Sequence, residues 1–230
     1  MPTGYTLYSD ANVTVIATME SDNRKTGNMV QVWILATDIN PVEAIKTGQD
    51  SRICGNCYHR GDETVGRKRT CYVNVGQAPN QVWKKFQRGN YPALKISEYA
   101  EVFAGRAIRL GAYGDPAVMP KRIVKALTRV ATKHTGYTHQ WRSSEWLKPF
   151  VMASCDSPSE YAEATSKGWR TFRVSSNTKA LTGEIECLSD SQGITCEKCG
   201  LCAGTSKGTD VKNIFIQVHG SSASNFTILQ

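Results

Sequence analysis

The sequence predicts an α/β fold in one domain, with a mainly parallel sheet built as an incomplete β/α barrel or as an open doubly wound sheet. Three observations lead there. From residue 107 onward, short β-branched apolar runs alternate with amphipathic helical stretches. The 230 residues are 40% hydrophobic, enough for one core that needs no disulfide support. No run of 18 apolar residues occurs, so a membrane-spanning helix is not expected.

The elements follow in order. Thr6–Tyr8 and Val13–Met19 read as strands about the turn Ser9-Asp10-Ala11-Asn12, a hairpin extension within residues 1–28. Met29–Ala36 is an unbroken apolar run, a buried strand that opens the core at 29–220. A long loop is expected from Asp38 to about Thr70. Pro79–Arg88 places Val82, Trp83 and Phe86 on one helical face, with Gly89 as its stop. Ile96–Phe103 reads as a second helix. Ala107–Tyr113 is a strand. Pro120–Lys133 is a helix with Ile123, Val124 and Leu127 on one face and Lys121, Lys125 and Arg129 on the other. Tyr137–Trp141 and Phe150–Ser154 read as strands. Ser157-Pro158-Ser159-Glu160 is a capping box with proline first in the helix, which runs to Lys167. Thr171–Val174 and Asn213–Val218 are the last strands.

Charge is concentrated. Residues 60–133 hold 15 Lys and Arg against 5 Asp and Glu, while the whole chain carries a net +8. Such a local excess suits a nucleic acid or nucleotide partner, and a solvated basic face is the plain alternative. Lys121, Lys125, Arg129 and Arg142 are the candidate nucleic-acid contacts. Trp141 beside Arg142 offers an aromatic plate and a cation, or simply core. The opening Met-Pro-Thr-Gly-Tyr-Thr lacks the basic and apolar pattern of a secretory leader, so a cytoplasmic, reducing setting is expected.

Eight cysteines occupy positions 54, 57, 71, 155, 187, 196, 199 and 202. In a reducing compartment such clustering points to metal rather than disulfides. Cys187, Cys196, Cys199 and Cys202, in a loop at 185–205, can close a tetrahedral zinc site or supply an iron–sulfur cluster. Cys54, Cys57 and Cys71, in a loop at 50–75, leave one coordination position open. A [4Fe–4S] cluster would then have a free iron, whereas zinc could take His59 as its fourth ligand. Cys155 reads as a small buried residue.

In α/β folds ligands gather at the carboxyl ends of the strands. Asp115 and Asp156 directly follow apolar strands there, so each is a candidate catalytic carboxylate or a helix cap. His219 ends the last strand. No phosphate loop, nucleophile elbow or zinc-protease motif is present.

A strand, a cysteine loop, a strand ending Tyr113-Gly114-Asp115-Pro116 and a strand ending Ala153-Ser154-Cys155-Asp156-Ser157 together resemble the radical S-adenosylmethionine barrel. That resemblance implies a [4Fe–4S] cluster at the first cysteine group and S-adenosylmethionine near Gly114 and Asp115. It also implies an auxiliary cluster at the second group. The family's Cys-x3-Cys-x2-Cys is replaced here by Cys-x2-Cys-x13-Cys, and Asp115 stands where that family carries glutamate. Segments such as ICGNC and GYTHQW are similar to cysteine-rich proteins of phages and plasmids. A rival resemblance, to base-exchanging transglycosylases, would make Asp115 or Asp156 the nucleophile or base. A zinc-stapled nucleic-acid-binding protein is the non-enzymatic reading.

Overall fold

The computed structural model describes residues 2–177, 179–208, 211–220 and 222–229. Nine strands form one sheet: β1 (Gly4–Ser9), β2 (Val13–Thr18), β3 (Val30–Ala36), β4 (Ala107–Tyr113), β5 (Lys133–Thr138), β6 (Met152–Cys155), β7 (Thr171–Ser175), β8 (Glu184–Glu186) and β9 (Asn213–Gln217). Their order is 1-2-3-4-5-6-7-9-8. β1, β2 and β3 pair antiparallel, and every pair from β3 onward is parallel. The sheet is open, with β1 and β8 at its edges. The class is therefore mixed α/β with a mostly parallel sheet, and the sheet does not close on itself.

The helices are α1 (Pro41–Lys46), α2 (Ser51–Cys54), α3 (Ala78–Gln87), α4 (Tyr99–Val102), α5 (Lys121–Val130), α6 (Pro158–Ser166), α7 (Leu188–Ser191), α8 (Cys196–Cys199) and α9 (Ala223–Leu229). Strands β3 to β7 advance in one direction across the sheet. Right-handed crossovers taken in one direction put their connecting helices on a single face. α5 obeys this: Ile123, Val124 and Leu127 pack in the same core as Ile108 and Leu110 of β4. β8 then lies beyond β9, so the connection between them steps backward. A right-handed connection in that direction must cross the opposite face, and residues 187–202 do lie there.

Several boundaries differ from the sequence reading. The helix expected over 120–133 stops at Val130, where Ala131 turns extended. Lys133 instead starts β5, in register with Ala107. Sheet pairing overrides the helical pattern of a polar segment. The strand expected at Tyr137–Trp141 thus begins four residues earlier, and Trp141 lies beyond its end, buried in the core. Gly136 is needed in β5, because a Cβ there would sit 2.7 Å from Val151 Cγ1. The second helix, expected over Ile96–Phe103, is a 3-10 turn followed by the single turn α4. The loop expected from Asp38 contains α1, whose Asn40 caps Val42 and Glu43 with Pro41 in the first turn.

Candidate functional site

A cavity of about 230 Å³ opens on the face of the sheet away from α5. Arg109, Tyr113, Tyr137, Phe172 and Ile216 form its walls. Side chains alternate across a strand, so Arg109 points here while Ile108 and Leu110 point into the helical core. Arg109 donates to the Tyr72 hydroxyl at 2.9 Å. Among the described residues it has no carboxylate partner. Lys25, Arg60 and Arg69 also reach the cavity, but Asp190 pairs with the first and Asp50 with the other two.

The first cysteine group lies at the carboxyl end. Cys54 ends α2, and Asp115 N–H donates to Ile53 O at 2.7 Å, tying that turn to the end of β4. Cys71 is folded back beside Cys57, since Thr70 and Cys71 both donate to His59 O at 3.1 Å. Buried Asp50 anchors the segment through Arg60 at 2.8 Å. Burial pushes the Cys54 thiol well up, and the nearby Cys57 and Cys71 push the same way. Burial raises Cys57 to about 12, against the pull of the His59 and Arg60 N–H groups on its sulfur. Cys71 is also raised by burial, opposed by Arg69 and the Val73 N–H. Such thiols stay protonated at neutral pH until a bound cation offsets the charge of ionisation. The N–H groups directed at sulfur are donors that stabilise a ligating thiolate.

The second group follows β8 in sequence, yet it folds toward the amino ends of β4 and β5. Cys196 N–H donates to Lys25 O at 2.9 Å, and Gly136 N–H to Cys202 O at 3.1 Å. Lys133 Nζ holds the carbonyl of Lys198 at 2.8 Å. Cys187, Cys196, Cys199 and Cys202 surround a second cavity of about 20 Å³. Burial raises Cys202 to about 12, although the Tyr137 hydroxyl bonded to its sulfur pulls it down. Cys187 is raised by burial against the Ser189 and Asp190 N–H groups.

The two strand-end carboxylates differ. Asp115 is a buried cap: Oδ1 accepts from Ala117 N–H at 2.9 Å and Thr138 Oγ1 at 2.7 Å, and Oδ2 accepts from His139 N–H at 2.9 Å. Burial raises its pKa against these donors. Gly114 beside it has φ +80°, and a Cβ would meet Ile34 at 2.7 Å. Both residues border the cavity, and their geometry is accounted for by the turn they build. Asp156 instead meets His59 Nε2 at 3.0 Å, with His139 Nε2 at 3.9 Å. Burial pushes Asp156 up, but the hydrogen bond from His59 and the charges of both histidines outweigh it, and its pKa is lowered. His59 Nδ1 meets Thr70 Oγ1 at 2.6 Å. Both ring nitrogens of His59 are thus engaged away from the thiols, so it does not complete a zinc site with them here.

The basic candidates lie elsewhere. Lys121, Lys125 and Arg129 are exposed on the outer face of α5, across the sheet from the cavity. Arg142 is paired with Glu160 at 3.1 Å and Glu163 at 2.6 Å and stacks 4.0 Å over Trp141, so its charge is already spent within the chain. Cys155 is buried and packs as a small residue. His219 does line the cavity. Sequence reasoning missed Arg109, although a lone arginine inside AIRLGAY was a visible signal. It also missed the meeting of His139 with His59 and Asp156, which no spacing encodes.

Comparison with protein-family models, curated proteins and solved structures finds no match to this chain.

Proposed function

We propose that this chain is an iron–sulfur protein whose cluster is held by Cys54, Cys57 and Cys71. We read it further as an enzyme resembling the radical S-adenosylmethionine family, acting on a nucleotide or nucleic acid. One observation carries the reading: three half-buried cysteines from one segment border a cavity at the carboxyl end of a parallel sheet and leave a fourth coordination position to a ligand. The consecutive parallel order from β3 to β7 agrees with a partial β/α barrel. When bound, such a cluster supplies single electrons. The chain's own contribution is binding: Arg109 offers an unpaired cation to an anionic group, and the Tyr137–Phe172 pair, 4.3 Å apart, offers an apolar wall to a base. S-adenosylmethionine is the candidate ligand beside Gly114 and Asp115.

Anaerobic purification with iron and sulfide analysis tests this. A brown protein, whose reduced cluster changes its electron paramagnetic resonance signal on adding S-adenosylmethionine, is the expected result. A colourless protein loaded only with zinc would refute it.

A second reading is a zinc-stapled nucleic-acid-binding protein, and one observation favours it. The four thiols of the second group surround a space of about 20 Å³, suited to a single ion, while the basic face of α5 stands clear of the cavity.

A further inference from the structure

Beside the first cysteine group, three side chains from distant parts of the sequence converge. His59 comes from the turn after Cys57, His139 from the residue after β5, and Asp156 from the residue after β6. Their ligand atoms lie within 4.8 Å of one another. We propose that His59, His139 and Asp156 form a further metal site, independent of the thiolate sites, for a divalent first-row transition ion such as iron(II).

The donor set is the first argument. Two imidazoles and one carboxylate suit iron(II), cobalt(II) or zinc, and hold such an ion on one side with its other positions open. His59 and His139 both line the large cavity, so a ligand in that cavity can reach those positions. Distances are the second. An ion with bonds of about 2.1 Å holds neighbouring ligands roughly 3.0–3.4 Å apart. His59 Nε2 and Asp156 Oδ2 are already 3.0 Å apart, and His139 Nε2 stands at 3.9 Å from the same oxygen. A small rotation of His139 completes the set.

The surroundings give the third argument. Thr70 Oγ1 is placed to accept the Nδ1 proton of His59, which leaves the Nε2 lone pair for an ion. The His59 ring is stacked on Phe226 at 5.4 Å and meets His139 edge-on at 5.1 Å. The main chains of His139 and Asp156 are pinned by Asp115 and Glu160. His139 Nε2 is buried and has no hydrogen-bond partner among the described residues. A plain His59–Asp156 hydrogen bond leaves that nitrogen unsatisfied, whereas an ion satisfies it.

Cobalt(II) titration of the full chain under anaerobic conditions tests the site. Cobalt on thiolate gives an intense sulfur-to-metal absorption, and cobalt on nitrogen and oxygen does not. The wild type should bind one equivalent beyond those that produce the sulfur band. His139→Gln and Asp156→Asn should each lose that equivalent and keep the sulfur band. Thr70→Val, which retains all three ligands, should weaken it roughly 10- to 100-fold. Wild-type stoichiometry in both ligand variants, or unchanged affinity in Thr70→Val, would overturn the proposal. Absence of the sulfur band with the extra equivalent still bound would instead overturn the thiolate reading and support this site.

Discussion

Arg173 and Glu184 form an ion pair with side chains only 4% and 0% exposed. Arg173 reaches both carboxylate oxygens, at 2.9 and 2.7 Å, and Leu181 N–H adds a third donor to Glu184. Removing the arginine strands a charge with no water to solvate it. Arg173→Met should therefore cost about 3–5 kcal/mol in urea unfolding, and an unchanged midpoint would refute it. The cysteines make a different prediction. Cys196→Ala, Cys199→Ala and Cys202→Ala should each lower both metal content and melting temperature, because metal binding at the second group is coupled to ordering a segment with little core of its own. Unchanged stoichiometry in all three would remove that site. At this scale the sequence was legible where chemistry sits in close spacing, as in Cys-x2-Cys. It was silent where partners are 80 residues apart, as for His59 and His139.

Element by element, legibility follows the strength of local signals. Residues 107–113 were read to the residue because a short, largely apolar run, AIRLGAY, lies between the turns at Gly105 and Gly114 with no competing cap. The start of α6 was equally plain: Ser157 accepts from Glu160 N–H at 3.2 Å, and Pro158 opens the helix. Ser157→Ala should cost about 1 kcal/mol, measured by chemical denaturation. The reciprocal half of the box differs, since Glu160 accepts from Asp156 N–H at 2.8 Å and so helps to set the carboxylate that meets His59. The first four residues of β5 escaped notice because Lys133-His134-Thr135-Gly136 carries no apolar alternation, and only its neighbours in the sheet define it. The exposed side of α5 makes a prediction of its own. Reversing Lys121, Lys125 and Arg129 to glutamate should leave the melting curve nearly unchanged and weaken any nucleic-acid binding, which should also fall steeply with salt. Binding that ignores both charge and salt would exclude this face as the docking surface.

For the molecule as a whole, the sheet separates two groups of side chains, the α5 cations and the cysteines. Basic charge and the first cysteine group overlap along the chain. The structure puts the α5 cations on one layer and both thiol groups on the other, because neighbouring side chains on a strand alternate faces and the backward step from β8 to β9 reverses the crossover face, geometry that composition does not carry. Metal removal should act on one layer only. Chelation should speed amide hydrogen exchange across 187–202 while the β2–β5 ladder keeps its protection. Uniform loosening of both would argue against a local metal staple.

β9 lies between β7 and β8, so β8, which precedes it in the chain, waits for it. Until residues 213–217 are made and docked, Glu184–Glu186 has no strand to pair with, and Glu184 can meet Arg173 only at a ragged edge. The segment carrying the last four cysteines is then a tether between an unplaced strand and its future neighbour. Assembly thus has a built-in sequence in time. The earlier strands and their helices can condense first, while residues 187–202 wait for both of their flanking strands. The final strand then slots between β7 and β8 in a step of non-local pairing, which is the slow kind.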